Sequence, residues 1–262
     1  MALVQKYGKP DLFVTMTCNA NWAEIKAELE PGETAQDWPD LVARIFRAKL
    51  IALKKKIKKD KVFGEVAAMI YVVEFQKRGL PHAHFMFILQ QQYKMKRPAD
   101  YDKYVYAEIP PVTQPELRAI VSRHMMHGPC GEQNPECPCM RKRDNVISCK
   151  NGYPKQYTAQ TTKNKDGYPC YQRTDTGEKV KVINAQLDNR WVVPYNPYLT
   201  ALFDCHLNVE VCSTIKAVKY LYKYVYKGHD RVAFNVSAED ANCGDEISQF
   251  QSGRWVSPCE AA

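Results

Sequence analysis

The sequence contains no long hydrophobic run. No apolar stretch reaches the roughly 18 residues that a membrane-spanning helix needs, which excludes a helical membrane span. The first residues, MALVQK, lack the long apolar core of a signal peptide, so we expect a chain that is not secreted. The ten cysteines are then expected to be free thiols or metal ligands instead of disulfides.

The overall composition is that of a packed protein. Of the 262 residues, 45% are hydrophobic and 25% are charged, which excludes a collagen, a disordered chain and a small disulfide scaffold. The length suits one large domain or two small ones. Lys and Arg outnumber Asp and Glu by 37 to 29, for a net charge of +8. This excess is compatible with a polyanionic partner and equally with a solubility feature.

The hydrophobic patterns predict a mixed α+β fold. Apolar and β-branched runs indicate strands, and apolar residues at helical spacing indicate helices. Asp37 is placed to cap the first long helix, and residues 77–81 suggest a hairpin turn between two strands at the centre of a sheet. The predicted strands cover 12–18, 66–76 and 82–89, and the predicted helices cover 38–59, 114–126 and 213–227.

Two histidines lie two residues apart in the third predicted strand. Side chains at i and i+2 of a strand share a face, so His82 and His84 project together and are able to bind one cation. Glu74 and Gln76 share a face of the preceding strand, where an oxygen ligand would complete a site for a divalent ion. Two structural histidines remain the alternative interpretation.

The helix predicted over 213–227 carries an unusual polar face. At about 100° per residue, two phenols one turn apart lie among three cations, opposite the apolar stripe. This pattern favours a pair of nucleophiles beside phosphate-binding lysines, because a neighbouring cation stabilises a phenolate. An ordinary amphipathic surface is the alternative. The residues on this face are Tyr220, Tyr224, Lys216, Lys223 and Lys227.

Residues 127–173 are rich in cysteine and poor in apolar periodicity. Five possible soft ligands lie within the first 23 residues of this segment, and a structural zinc ion would stabilise it without a hydrophobic core. Free thiols are the alternative, because the spacing is not a paired CxxC pattern. The five residues are His127, Cys130, Cys137, Cys139 and Cys149.

At this point the motifs resemble a known family. The stretch GLPHAH over 79–84 resembles the histidine motif of HUH endonucleases, and KYLYKYVYKG over 219–228 resembles the two-tyrosine motif of Helitron transposases. Further stretches resemble the same group in the same order along nearly the whole chain. They cover 10–19 with Trp22, 127–131, 138–140, 149–150 with 153–155, 189–196 and 206–210.

The resemblance implies the HUH nuclease fold, with a central antiparallel sheet of about five strands flanked by helices. It further implies that residues 1–262 form a single nuclease domain of a longer transposase, with 127–173 as a cysteine-rich insertion. A helicase domain is expected further along the full-length chain, and the nucleus is the expected location. No GxxxxGK[ST] loop is present, so we expect this chain to cleave and join DNA but not to unwind it.

The implied activity is metal-dependent cleavage and strand transfer on single-stranded DNA of a rolling-circle transposon. By resemblance, Tyr220 and Tyr224 are the nucleophiles that form 5′-phosphotyrosine intermediates. The lysines on the same helix face, Lys216, Lys223 and Lys227, would contact DNA phosphates.

The resemblance also assigns metal ligands. His82 and His84 would hold Mg²⁺ or Mn²⁺, with Glu74 preferred over Gln76 as the third ligand. In the insertion the matched zinc positions are His127, Cys130, Cys139 and Cys149, whereas Cys137 falls where the family is expected to lack a cysteine. Cys137 therefore stays open as an alternative fourth ligand.

Two other functions compete with this assignment. One is a catalytically idle single-stranded DNA-binding module with a structural zinc site, which would bind in a salt-sensitive way without forming an adduct. The other is a zinc-dependent hydrolase that uses His82 and His84 and releases its products without a covalent intermediate.

Overall fold

The computed structural model is a mixed α+β structure. It describes residues 2–75, 80–143, 146–212, 231–235 and 250–254. The predicted helix over 213–227, with its two tyrosines and three lysines, lies outside the described residues, and so does Gln76. Among the described residues, no helix combines the length and the apolar character needed to cross a membrane.

Four antiparallel strands form the main sheet, in the order β10–β1–β3–β2. The pairing of β3 with β2 confirms the predicted hairpin strands, but the expectation that this pair forms the centre of the sheet is wrong: among the described strands β1 and β3 are central and β2 lies at the edge. The register pairs Val14 with Phe85 and with Val209, so one face of three strands is apolar throughout. The strands are β1 (Leu12–Thr17), β2 (Val66–Phe75), β3 (Pro81–Leu89) and β10 (Leu207–Val211).

The long helix α3 covers the apolar face of the sheet. Its apolar residues recur at helical spacing, as the sequence predicts, and five of them are buried. They pack into the main core together with Val14, Phe85 and Phe87. The helices are α1 (Ala2–Tyr7), α2 (Ala23–Lys26), α3 (Pro39–Lys58), α4 (Pro98–Tyr101), α5 (Pro115–His124) and α6 (Pro197–Phe203).

The expectation that Asp37 caps α3 is wrong. The residue at the N-cap position is Trp38, which makes no side-chain capping bond, and Pro39 begins the helix. The carboxylate of Asp37 instead accepts hydrogen bonds from the amide and the hydroxyl of Thr34, each at 2.7 Å. A proline at the first helical position removes one of the unpaired amides, and its fixed φ is already suited to the start of a helix.

The segment between α5 and α6 is built from short two-stranded ribbons. A small buried cluster joins Cys130, Cys139 and Cys149 to Leu187 and Trp191, at the end of this segment. Each ribbon is too short to be stable alone, and this cluster joins the β4–β5 and β8–β9 ribbons. The strands are β4 (Met140–Arg143), β5 (Val146–Cys149), β6 (Thr162–Lys163), β7 (Pro169–Cys170), β8 (Val180–Val182) and β9 (Ala185–Leu187).

The last two strands described are β11 (Arg231–Asn235) and β12 (Phe250–Arg254), which pair with each other. They form a ribbon separate from the main sheet. The described part of the chain therefore has a four-stranded main sheet, where the resemblance implied about five strands.

Two side chains near the end of β1 fasten it to the corner between α6 and β10. The amide of Asn19 donates to the carbonyl oxygen of Asp204 at 2.7 Å, and the indole nitrogen of Trp22 donates to that of Phe203 at 2.7 Å. Trp22 is buried, so this second bond satisfies a polar group inside the core. These contacts give Asn19 and Trp22 a structural role that keeps β1 and β10 in register.

Candidate functional site

The two histidines lie on the sheet face opposite α3. Alternation along β3 puts Ala83 and Phe85 in the core and turns His82 and His84 to the other face. Their ring centroids are 6.4 Å apart. The strand pairing therefore brings the two imidazoles together, as the i, i+2 spacing predicts.

Glu74 lies beside the histidines across the hairpin. The register pairs Glu74 with His82, and its Oε2 is 3.5 Å from Nε2 of His84. Of the three side chains, the carboxylate of Glu74 is the ligand type that Mg²⁺ and Mn²⁺ prefer, whereas imidazole nitrogens suit transition metals such as Zn²⁺ and Fe²⁺. Among the described residues, the group of three or more ligating side chains close enough to hold one ion is His127 with Cys130, Cys139 and Cys149, so an Mg²⁺ or Mn²⁺ site at the sheet face stays a prediction.

Two threonines of β1 hold the imidazoles from the other side. The Oγ1 of Thr15 is 3.0 Å from Nδ1 of His84, and the Oγ1 of Thr17 is 3.2 Å from Nδ1 of His82. In the tautomer that leaves the Nε2 lone pair for a metal, each Nδ1–H donates to the threonine oxygen. Such partners orient ligating histidines and set their tautomer.

Sequence reasoning missed these threonines, although one signal was available. Thr15 and Thr17 repeat the i, i+2 spacing of His82 and His84 on a strand whose alternate residues are apolar. The pairing of β1 with β3, which are separated by about 65 residues of chain, is what joins the two pairs.

A third histidine lies at the end of the same row. The amide of Thr17 donates to the carbonyl oxygen of His206, and Leu207 beside it points into the core, so His206 lies on the histidine face. Its Nδ1 is 2.7 Å from the carbonyl oxygen of His124. Because a carbonyl oxygen only accepts, Nδ1 of His206 carries the proton in this contact, whereas the hydroxyls of Thr15 and Thr17 are able to donate or to accept.

Burial makes His82 and His206 favour the neutral form of the imidazole. Desolvation, with smaller contributions from the nearby His84 and His206, lowers the pKa of His82 to about 4. Desolvation also lowers the pKa of His206, and the hydrogen bond to His124 opposes that shift. A neutral imidazole is the form that binds a metal, so His82 is ready to serve as a ligand at neutral pH.

The threonines provide a test of this arrangement. We expect Thr15→Val to weaken Mn²⁺ binding and metal-dependent activity by about 10- to 100-fold, because valine keeps the shape but cannot accept the Nδ1–H bond of His84. Titration with Mn²⁺ measures the affinity, and Thr15→Ser should restore it.

Thr200→Val is the matched control. Thr200 is fully buried in α6, and its hydroxyl has no hydrogen-bond partner in the part of the chain that the structure describes. Equal loss of Mn²⁺ affinity in both valine variants would contradict a positioning role for Thr15.

A second cluster brings four soft ligands together. One atom from each of His127, Cys130, Cys139 and Cys149 lies within 4.8 Å of the other three. At Zn–S bonds of about 2.3 Å, tetrahedral ligands are about 3.8 Å apart, so the cluster has the dimensions and the donor set of a structural zinc site. These are the four matched positions of the sequence analysis, and they could hold a metal such as zinc.

The surroundings of His127 explain why it joins the cluster. Its ring stacks on Tyr153 at 4.2 Å between centroids, and its Nε2 is 3.5 Å from the sulfur of Cys149. Burial raises the pKa of the Cys139 thiol, as expected for a thiol in apolar surroundings. Cys137, the alternative ligand, lies 3.4 Å from the sulfur of Cys139 but outside the group of four.

Comparison with known proteins finds one family. Residues 1–87 match a family model described as the Helitron helicase-like domain at the N-terminus. The matched range contains β1, β2 and the histidine-bearing part of β3, and it ends before the cysteine cluster. No curated protein matches the chain. The region that carries Thr15, Glu74, His82 and His84 is therefore similar to the N-terminal Helitron domain.

Proposed function

We propose that this protein is a metal-dependent single-stranded DNA endonuclease and strand transferase of a rolling-circle transposon. The observation that carries the proposal is the arrangement of His82, His84 and Glu74 on one sheet face, with both Nδ1 atoms held by threonines. The family match over the same region supports the connection to Helitron elements. The HUH nuclease fold belongs to this proposal as well.

The chemistry is a transesterification. The phenolic oxygen of Tyr220 or Tyr224 forms a bond to the scissile phosphorus, and the bond from phosphorus to the 3′-oxygen breaks. The phenol loses its proton and the departing 3′-oxygen gains one, which leaves a 5′-phosphotyrosine and a free 3′-hydroxyl. The covalent link conserves the energy of the phosphodiester, so a 3′-hydroxyl can later reverse the step and rejoin DNA.

The histidine face supplies the binding groups for this reaction. A bound Mg²⁺ or Mn²⁺ would supply charge stabilisation at a phosphate oxygen. His82 and His84 would each offer one imidazole nitrogen to it, and Glu74 would offer a carboxylate oxygen. Lys216, Lys223 and Lys227 would attract the remaining phosphates of the strand, in keeping with the net charge of +8.

The nucleophiles have a direct test. Incubation of labelled single-stranded DNA with the protein and Mn²⁺ should produce a slower band on a denaturing gel, and EDTA should abolish it. Tyr220→Phe and Tyr224→Phe together should remove this covalent adduct, because a phenyl ring has no nucleophilic oxygen. An adduct that survives in the double variant would overturn the assignment of the tyrosines.

An idle DNA-binding module with a structural zinc site is the second candidate. The closed four-ligand cluster favours it, since structural zinc sites carry no open position for substrate. This candidate predicts salt-sensitive DNA binding with no adduct in any metal, so the same gel distinguishes the two functions.

A further inference from the structure

The β4–β5 ribbon is clamped at its base by the candidate zinc ligands. Cys139 directly precedes β4, Cys149 is the last residue of β5, and the register pairs Met140 with Cys149. The amide of Lys150 also donates to the carbonyl oxygen of Cys139 at 2.8 Å, which closes the base. A two-stranded ribbon is marginally stable alone, so a metal held by these cysteines would stiffen it.

The ribbon beyond this base is basic and exposed. Arg141 pairs with Ser148, and Lys142 pairs with Ile147 on the next position, so the two cations lie on opposite faces of the ribbon. Both side chains are exposed, and neither forms an ion pair with any carboxylate in the ranges that the structure describes. Their charges are therefore available to a partner on both sides.

The ribbon also exposes two large aliphatic side chains. Val146 is 63% exposed and Ile147 is 59% exposed, although both are β-branched residues typical of buried strands. Apolar residues that project beside unpaired cations indicate a surface which becomes covered when a partner binds. A partner that offers both negative charge and apolar surface fits this pattern.

We propose that the β4–β5 ribbon binds duplex DNA by entering the major groove. That groove is about 12 Å wide and admits a two-stranded ribbon, with a phosphate backbone on each side. Lys142 and its partner Ile147 share one face of the ribbon, so Ile147 would contact base edges such as thymine methyl groups while Lys142 reaches one backbone. Arg141 lies on the other face, from which its longer side chain would reach the second backbone. This role goes beyond the proposed cleavage of single strands, because it gives the protein a separate grip on double-stranded DNA.

The binding experiment uses the full chain loaded with zinc and a fluorescent duplex of about 20 base pairs, two helical turns. Arg141→Ala combined with Lys142→Ala should weaken duplex binding by about tenfold near 0.1 M salt. It should also reduce the slope of log K against log salt by about 1.8, the value for two lost phosphate contacts. Lys26→Ala with Lys165→Ala removes the same charge from exposed positions elsewhere, and it should leave the slope nearly unchanged.

The apolar contact has its own variant. Ile147→Ser leaves the net charge intact and should weaken duplex binding by about fivefold without a change in the salt slope. Thermal melting and zinc content of each variant show that the fold and the metal site persist. If the ribbon variants bind duplex DNA as tightly as the wild type, or lose no more affinity than the lysine control, the proposal is wrong.

The outcome is independent of the cleavage chemistry. Single-stranded DNA cleavage by the ribbon variants, measured on the same preparations, should stay near wild type because the histidine face is untouched. Absence of cleavage in every preparation would count against the proposed nuclease and leave the duplex-binding comparison intact.

Discussion

Replacing His84 with alanine should reduce metal-dependent cleavage of single-stranded DNA by at least about 100-fold. Loss of the hydrogen-bond partner of a ligating histidine already lowers metal affinity or activity by about 10- to 100-fold. Loss of the ligand itself should lower them by no less. The same variant should lose its Mn²⁺ binding in a direct titration. His84 is buried and contacts both Thr15 and Glu74. Because solvent has little access to this position, we do not expect a water molecule to replace the imidazole as a ligand.

A matched pair of variants separates the metal from the nucleophile. Tyr220→Phe with Tyr224→Phe should abolish the covalent adduct while Mn²⁺ affinity stays at the wild-type value, whereas His84→Ala should lose both. Truncation of His84 also leaves the hydroxyl of Thr15 without its partner, at about 1–3 kcal/mol, so the melting temperature must be recorded alongside. Full cleavage activity in a folded His84→Ala variant would contradict the proposed metal site.

Replacing Cys139 with serine should have the largest effect on stability. Loss of one of four ligands is expected to release the zinc, and we expect a cost on the order of 3 kcal/mol or more, since structural zinc supplies folding free energy outright. For a chain of this size that corresponds to a fall of roughly 6–12 °C in melting temperature. The zinc content, measured after gel filtration, should fall from one ion per chain to near zero.

Cys137→Ser is the control for this prediction. Its sulfur is only 3.4 Å from that of Cys139, yet it lies outside the group of four, so the variant should keep its zinc and melt within a few degrees of the wild type. Chelation of the wild type should reproduce the Cys139→Ser melting curve and leave that variant unchanged. If the two serine variants lose zinc equally, Cys137 and not His127 completes the site.

The elements were the most predictable part of the structure. Strands β1, β2 and β3 and helix α3 begin and end within one or two residues of the predicted bounds, because each has an unbroken hydrophobic period. The sequence also predicted that Glu74 lies beside the histidine-bearing strand, because one short predicted turn joins the two strands. The cap of α3 was predicted wrongly, since Trp38 and Pro39 begin the helix without a side-chain acceptor.

The partners of the histidines were not predictable in the same way. Thr15 and His206 reach the site through the contacts of β1 with β3 and with β10, which join segments far apart in sequence. Hydrophobic alternation fixes which face a residue occupies but not which strand becomes its neighbour. That choice depends on how the whole sheet packs against α3, and a single sequence does not display it.

By itself, the sequence determined the residue types and their local periods: an i, i+2 pair of histidines, a group of cysteines without a periodic core, and a helix pattern with two tyrosines among lysines. Only the tertiary structure decided that threonines from β1 hold both imidazoles and that His127 joins three cysteines within 4.8 Å. Period follows from local geometry along one strand or helix. Which side chains become neighbours depends on long-range packing. When strands bury a shared apolar face, their polar side chains meet on the opposite face of the sheet.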